Sequence, residues 1–241
     1  MLLAVEGVSQ RFGGVMANHD VSLAIAEDEI LGLIGPNGAG KTTLFNIIAG
    51  AIRPSAGRVR FRGEDITGIG ASACCLRGIA RTFQVVRSFD AMTVLENVMV
   101  GAFCRTNRER TARREASAVL EWMRLDGRRD ALAAELTPPE KRRLEVARAL
   151  ATRPRLLLLD EVMAGLTPAE ARIGVDLIRE IRARGIAVLM VEHVMEVLMP
   201  LVDRVVVLNL GRLLAEGKPQ DVVRDERVIA AYLGEKYRAR A

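Results

Sequence analysis

Hydrophobic positions along the chain fall into short, uninterrupted runs that end at glycine or at charged residues. Residues 30–34 form one such run and lead into a glycine-rich turn, and residues 156–159, 186–191 and 205–208 form three more. Apolar runs of this length, without polar alternation, are typical of strands buried on both faces of a parallel sheet. Residues 59–62 alternate instead, as expected of a half-exposed strand.

Other segments follow the helical period. Residues 41–51 place Leu44, Ile47 and Ile48 on one face, and a second helix is predicted from Pro168 to about residue 184. This second helix begins at a capping box formed by Thr167 and Glu170, with proline in its first position. Strands that alternate with helices in this way predict an α/β nucleotide-binding core with a mostly parallel sheet.

The middle of the chain, from residue 85 to 153, reads as mostly helical. An amphipathic stripe with apolar residues at i, i+3, i+4 and i+7 is formed there by Ala116, Val119, Leu120 and Met123. We therefore expect a single domain over residues 1–241, in which residues 1–84 and 154–241 form the core and residues 85–153 form an inserted helical subdomain.

Composition excludes a disordered chain and leaves the choice of partner open. Half of the 241 residues are hydrophobic, and 35 Lys and Arg against 30 Asp and Glu give a net charge of +5. That modest excess permits a nucleic acid or a membrane surface as partner without requiring either. The N-terminus does not read as a signal peptide, and no apolar run reaches the roughly 20 residues that cross a bilayer.

The three cysteines, Cys74, Cys75 and Cys104, lack the spacing of a metal site. Their odd number favours a reducing compartment, and we expect them to be core thiols. A protein of this composition that serves a membrane is expected to do so from the cytoplasm, through a partner.

The glycine-rich turn after residues 30–34 carries the first chemical motif. It fits G-x-x-x-x-G-K-[ST] between a strand and a helix, with Gly35, Pro36, Asn37, Gly38, Ala39, Gly40, Lys41 and Thr42. Such a loop points its backbone N–H groups at phosphate oxygens at the start of a helix. Lys41 is expected to reach the β- and γ-phosphates of ATP, and the Thr42 hydroxyl to hold Mg²⁺.

Acidic and imidazole side chains follow two other predicted strands. Asp160 and Glu161 end the apolar run at 156–159, and His193 follows the run at 186–191. We expect Asp160 to face Mg²⁺ and Glu161 to face a water that attacks the γ-phosphate, with His193 at the γ-phosphate itself. Solvated acids and a structural histidine are the alternatives, and the neighbouring phosphate loop disfavours both.

These motifs, in this order, resemble the ATP-binding subunit of ABC transporters over essentially the whole chain. The resemblance implies a P-loop NTPase core with an N-terminal antiparallel β subdomain and an inserted helical subdomain. It also implies that residues 35–43, through Thr43, form the Walker A loop and that Phe12 stacks on adenine. Gln84 is implied as a further Mg²⁺ ligand that faces the permease, Asp160 as the Walker B aspartate, and Glu161 and His193 as the catalytic base and the switch histidine.

Three further segments are similar to the subunits that energise bacterial importers of branched-chain and other hydrophobic amino acids. They are residues 11–17, residues 80–84 and residues 228–235. Related members handle urea or small amides. The resemblance implies permease subunits, a second ATP-binding subunit and, indirectly, a substrate-binding protein as partners, with the chain on the inner face of the cell membrane.

One motif departs from the family pattern. Where the family has Leu-Ser-Gly-Gly-Gln or a close variant, which closes over ATP on the opposite subunit, this chain has Leu136, Thr137, Pro138, Pro139 and Glu140. The prolines have no N–H to donate, and the glutamate adds a negative charge where the nucleotide docks. Thr137 and Glu140 also fit a helix capping box, and both interpretations can hold together. Val162 and Met163 after the Walker B acids, and Thr167 in the D-loop, are smaller departures.

Residues 105–129 hold eight arginines against four acids. We interpret this surplus as a solvated helix face, with acidic lipid headgroups or nucleic acid as alternative contacts. A soluble ABC ATPase that acts on ribosomes or DNA, and a regulatory subunit with little turnover, remain the competing functions. No direct nucleic-acid partner is expected, because the chain has one cassette and no sustained heptads.

Overall fold

The computed structural model describes residues 1–83 and 88–233. Gln84 therefore lies outside the described residues. The strands are β1 Leu3–Phe12, β2 Val15–Ile25, β3 Ile30–Ile34, β4 Ala56–Phe61, β5 Glu64–Asp65, β6 Ile79–Arg81, β7 Leu156–Asp160, β8 Ala187–Val191, β9 Arg204–Asn209 and β10 Arg212–Gly217. The α-helices are α1 Lys41–Ile48, α2 Ala71–Arg77, α3 Val94–Ala102, α4 Glu109–Trp122, α5 Pro138–Ala151, α6 Pro168–Ala183, α7 Met195–Leu198, α8 Pro219–Val222 and α9 Glu226–Leu233.

Two sheets organise these elements. Strands β2, β1, β4 and β5 form an antiparallel sheet in that order, and a six-stranded sheet has the order β10-β9-β3-β8-β7-β6. In the second sheet β9, β3, β8, β7 and β6 pair in parallel, and β10 is antiparallel to β9 at the edge. The predicted α/β fold, with a mostly parallel sheet and an N-terminal antiparallel β subdomain, is confirmed.

The parallel strands separate two hydrophobic cores. On β7, Leu157 and Leu159 pack into a core shared with α3, α4, α5 and α6, whereas Leu156 and Leu158 pack into a core shared with α1 and the antiparallel sheet. Both faces are covered, which explains why these strands are apolar at every position. The carboxyl ends of β3, β7 and β8 consequently meet at one edge of the sheet, where the polar residues that follow them come together.

The helices follow the predicted pattern with one difference at an end. Helix α6 begins at the predicted capping box, and α4 buries Ala112, Ala116 and Leu120 on one face. Helix α1 ends at Ile48 rather than at residue 51. Gly50 has a φ of 74°, and a side chain there would lie 2.6 Å from Cys74 Sγ, so the chain turns before the predicted end.

The expectation that all three cysteines are core thiols is wrong for two of them. Cys74 is buried in α2, but Cys75 is half-buried on the same helix and Cys104 is exposed. Cys104 follows α3 in a turn.

The arginines on helix α4 form a solvated face, whereas arginines elsewhere in the arginine-rich segment contact other parts of the chain. Helix α4 turns its arginines away from the core, and Arg113 pairs with Glu109 one turn earlier. Arg105 instead donates to the backbone carbonyls of Thr152, Leu76 and Cys75, at 2.7, 2.8 and 3.1 Å. This side chain therefore ties α2 to the end of α5. None of the helices in the described residues is long and apolar enough to span a membrane.

Candidate active site

The loop between β3 and α1 is shaped by glycines that no other residue can replace without strain. Gly35 and Gly40 have φ angles of 151° and 97°. A Cβ at Gly35 would lie 2.1 Å from the Leu208 carbonyl oxygen, and one at Gly40 would lie 2.3 Å from that of Ala17. The loop leads directly into the N-terminus of α1, where an anion is stabilised.

Asn18 of β2 supports the same loop, and sequence reasoning missed it. Its side chain is buried and its Nδ2 donates to the Gly40 carbonyl oxygen at 3.2 Å. The antiparallel sheet is thereby anchored against the phosphate loop. Phe12 ends β1 beside the turn of the same hairpin, and its ring is 48% exposed, with Val15 and Met16 exposed opposite it. The hairpin thus presents an open apolar surface.

Lys41 is folded back into the loop. Its side chain is buried, and Nζ donates to the carbonyl oxygens of Gly35 at 2.6 Å and Pro36 at 3.1 Å. Burial lowers the pKa of Lys41, and the charges of Glu161 and Asp160 act in the opposite direction. The ammonium group therefore lies within electrostatic reach of both acids. Thr42 is exposed at the start of α1.

Asp160 ends β7 as a buried carboxylate that lacks a full set of partners. It is 3% exposed, and its Oδ2 accepts no hydrogen bond within the described part of the chain. Arg81 Nη2 lies 3.8 Å from Oδ2. Burial raises the pKa of Asp160, and Arg81 partly offsets that effect. A buried carboxylate oxygen without a hydrogen bond costs free energy unless a ligand pairs with it. Mg²⁺ prefers carboxylate and hydroxyl oxygens as ligands, so Asp160 and Thr42 fit that ion.

Glu161 and His193 are brought together from two different strand ends. His193 Nε2 lies 2.8 Å from Glu161 Oε1. Glu161 has a φ of 53°, an unusual value for a residue other than glycine, and its N–H donates to the Val191 carbonyl oxygen at 2.9 Å. Strained backbone of this kind clusters at active sites. Arg142 of α5 donates to the Glu161 carbonyl oxygen and so holds the same turn from the helical side.

Glu192 is a functional candidate that sequence reasoning passed over as the residue before His193. It is 1% exposed at the end of β8, and its Oε1 accepts the Met163 N–H at 2.8 Å. Burial raises the pKa of Glu192 to about 7. It therefore fixes the loop that follows Glu161. The sequence feature that could have indicated Glu192 is a charged residue directly after an all-apolar strand.

The segment from Leu136 to Glu140 forms the start of α5, with Leu136 buried beneath it. Pro138 and Pro139 occupy the first turn of this helix, and Glu140 Oε2 accepts the Thr137 N–H at 2.9 Å and its Oγ1 hydroxyl at 2.8 Å. The predicted capping box is thus present. Because the hydroxyl proton of Thr137 is directed at Glu140, that hydroxyl is already engaged.

The structure brings Lys41, Asp160, Glu161 and His193 to one edge of the parallel sheet. Phe12 lies on the adjoining hairpin, and the segment from Leu136 to Glu140 lies on the helical side. No hydrogen bond or ion pair among residues 1–83 and 88–233 joins that segment to the phosphate loop. A glycine cradle, a buried lysine and two strand-end acids define a P-loop nucleotide-hydrolysing cassette.

Comparisons with known proteins agree with this class. A family model described as "ABC transporter" matches residues 18–164, and one described as "Branched-chain amino acid ATP-binding cassette transporter" matches residues 212–238. The chain therefore belongs to the ABC transporter ATP-binding family and is an ABC ATPase.

The similar proteins cover nearly the whole chain. The high-affinity branched-chain amino acid transport ATP-binding proteins BraF of Pseudomonas aeruginosa and LivG of Salmonella typhimurium are each 40% identical over 97% of this chain and 98% of their own length. The lipopolysaccharide export system ATP-binding protein LptB of Haemophilus influenzae is 35% identical over 98% of this chain and 99% of its own length. A nucleotide-free cassette from an ABC transporter superposes with a TM-score of 0.89 at 31% identity, covering 97% of this chain and 99% of that one.

Proposed function

We propose that this ABC ATPase energises the uptake of branched-chain or related hydrophobic amino acids, urea or small amides. The hydrogen bond between Glu161 and His193, beside the buried Asp160 and the phosphate loop, carries the ATPase part of the proposal. The match of residues 212–238 to the branched-chain amino acid family model supports the cargo class.

Residues of the Walker A loop bind the nucleotide phosphates. Lys41 exchanges the Gly35 and Pro36 carbonyl oxygens for the β- and γ-phosphates, and Thr43 extends the loop into α1. Phe12 stacks on adenine from the exposed hairpin. Thr42, Asp160 and Gln84 would hold Mg²⁺, which would neutralise negative charge on the phosphate oxygens.

Glu161 is the general base that orients and deprotonates the attacking water. His193 holds the Glu161 carboxylate through the 2.8 Å contact and reaches toward the γ-phosphate. Glu192 and Arg142 fix the backbone on either side of Glu161, through Met163 N–H and the Glu161 carbonyl oxygen. The base is therefore positioned before the nucleotide binds, which reduces reorganisation during the reaction.

A second ATP-binding subunit completes the site. Residues 136–140 close over ATP held by that subunit, as in the family pattern. Two prolines and a Thr137 hydroxyl engaged by Glu140 leave this segment poor in donors. We therefore infer that the closing contact is weak in a homodimer, and that a heterodimer with a related subunit keeps one strong site.

Permease subunits dock at the boundary between the core, residues 1–84 and 154–241, and the helical subdomain, residues 85–153. Exposed apolar side chains surround this boundary, at Leu76, Phe83, Phe89, Val100 and Phe103. Glu145 of α5 accepts the Phe83 N–H at 3.0 Å, one residue before Gln84. This contact ties the signature helix to the segment that we propose faces the permease, and a chain docked in this way lies peripherally on the inner face of the membrane.

The test is copurification and coupled hydrolysis. The chain is co-expressed with the permease subunits encoded beside it, isolated as a complex and placed in vesicles with the corresponding binding protein. We expect ATP hydrolysis to rise when leucine-loaded binding protein is added, and a Glu161→Gln complex to assemble without this rise. Stimulation by urea or an amide and not by leucine would assign the other cargo class. Copurification with RNA and without a permease would refute the proposal.

A further inference from the structure

A cavity of about 200 Å³ lies between α5 and α6, on the helical side of β7. Its interior is apolar, with Leu159 of β7, Val146 of α5, and Leu177 and Ile181 of α6 among the lining side chains. No residue of the Walker A loop contributes to it. Drug-sized ligands occupy roughly 300–1,000 Å³, so this cavity suits a smaller molecule with an apolar body.

Charged groups of both signs line the same cavity. Two of the lining residues are arginines, Arg142 and Arg143, and two are glutamates, Glu140 and Glu170. Hydrogen bonds from the Thr167 backbone and hydroxyl lower the pKa of Glu170, so this carboxylate is ionised at neutral pH. Two positive and two negative groups therefore lie around one apolar space.

These groups retain hydrogen-bonding capacity. Both Thr167 bonds go to Glu170 Oε2, and Oε1 accepts none from the described residues. Arg142 and Arg143 each donate through Nη1 alone within the same part of the chain, to backbone carbonyl oxygens. A planar guanidinium presents five N–H donors, so most of these are left for a ligand carboxylate.

We propose that this cavity binds a small apolar α-amino acid. The ligand carboxylate pairs with Arg142 and Arg143, its ammonium group pairs with Glu170, and its aliphatic side chain fills the apolar interior. An apolar carboxylate alone would lie beside the ionised Glu170, whose Oε1 accepts no hydrogen bond from the described residues, and an apolar amine alone would lie beside two arginines. A zwitterionic amino acid pairs its carboxylate with the arginines and its ammonium group with Glu170.

The cavity is linked to the hydrolytic site through two contacts. Arg142 donates to the Glu161 carbonyl oxygen, and Val162 and Met163, which follow Glu161, line the cavity. A ligand carboxylate that pairs with the remaining N–H groups of Arg142 draws this guanidinium group toward the cavity and away from the Glu161 carbonyl oxygen, so occupancy lowers ATP turnover. This regulatory step rests on the proposed function, in which the ligand is the product of transport, whereas binding itself rests on the cavity alone.

The first test is calorimetric titration of the full chain with L-leucine. A ligand of this size is expected to bind with a Kd on the order of 0.1–1 mM. Ile173 lines the cavity at 37% exposure, so Ile173→Trp should fill it without disturbing the core and weaken leucine binding at least about tenfold. The matched control is Arg172→Trp, which adds the same bulk at the adjacent exposed position of α6 outside the cavity and should bind leucine as the wild type does.

Ligand analogues then test the chemical class. 4-Methylpentanoate lacks the ammonium group and 3-methylbutylamine lacks the carboxylate, and each should bind at least about tenfold more weakly than leucine. Equal binding of either analogue would overturn the assignment to an amino acid. Absence of leucine binding at about 10 mM, or equal binding to Ile173→Trp, would overturn the site.

Turnover separates this inference from the proposed function. ATP hydrolysis by the wild type should fall at saturating leucine, and hydrolysis by Ile173→Trp should not respond. Leucine binding without any change in turnover would overturn the link to Glu161. Normal ATP hydrolysis without leucine binding would refute the cavity proposal and leave the ATPase function standing.

Discussion

Glu192 makes stability depend on pH in a way that a neutral isostere should remove. Its carboxylate is 1% exposed, and its pKa rises from the usual 4.5 to about 7 because burial disfavours the charged form. Glu192→Gln keeps an acceptor for the Met163 N–H and removes the titration. The difference in unfolding free energy between wild type and variant should therefore change with pH.

The sign follows from proton counting. Between about pH 4.5 and pH 7 the unfolded chain has an ionised Glu192 while the folded chain keeps it protonated, so the folded state binds more protons and stability falls as pH rises. A shift of this size corresponds to about 3 kcal/mol at 1.36 kcal/mol per unit. The wild type should thus lose up to about 3 kcal/mol relative to Glu192→Gln between pH 5 and pH 8.

Urea unfolding of the nucleotide-free protein at these two pH values measures the difference directly. Other titrating groups contribute equally to both proteins and cancel in the comparison. A difference between wild type and Glu192→Gln that is the same at pH 5 and pH 8 would refute the reasoning, because it would mean that Glu192 is ionised in the folded protein at both.

Three further substitutions test other parts of the account. Lys41→Ala should abolish tight ATP binding, because it removes a charge-assisted contact worth about 1.5–3 kcal/mol. Thermal stabilisation of the protein by Mg-ATP should disappear with it. A variant that Mg-ATP stabilises as strongly as the wild type would exclude the phosphate-loop role of Lys41. Gly40→Ala should lower the free energy of unfolding in urea by about 1–3 kcal/mol, because it forces a side chain against the Ala17 carbonyl oxygen at a residue with positive φ. An unchanged urea midpoint of unfolding would contradict this close packing of Gly40. Pro139→Gly combined with Glu140→Gln should raise the ATPase activity and the ATP-induced dimerisation of the isolated chain by roughly ten- to a hundredfold. The reason is that each N–H bond regained to the γ-phosphate is worth about 1.5–3 kcal/mol. If neither quantity rises, the segment at residues 136–140 does not limit closure of the dimer.

The strands of the core were predictable because burial on both faces leaves an unmistakable apolar run. The run at residues 156–159 and the two acids after it correspond to β7 and its carboxyl end, and the glycine spacing located the phosphate loop. Helix ends were less predictable. Helix α1 ends at Ile48, and Gly50 just after it has a left-handed φ of 74°; any side chain there would meet Cys74, which is distant in sequence.

The supporting residues of the candidate site could not be predicted for the same reason. Asn18 contacts Gly40 across 22 positions, Glu192 contacts Met163 across 29, and Arg142 contacts Glu161 across 19. Each of these residues is ordinary in its local sequence. Their roles arise from tertiary packing, which a local pattern does not contain. The exposure of Cys104 was missed because free cysteine is usually a buried residue type, and the residue type does not show that this one lies in a turn after α3.

The most direct test of the central claim is ATP hydrolysis by Glu161→Gln, measured with ATP affinity in the same preparation. Glutamine keeps the shape of the side chain and removes the base, so turnover should fall by roughly 10²–10⁴-fold. ATP affinity should stay within about twofold of wild type, because the phosphate loop and Asp160 are unchanged. Turnover that persists near the wild-type rate, or an equal loss of nucleotide binding and hydrolysis, would contradict the assignment of Glu161 as the catalytic base.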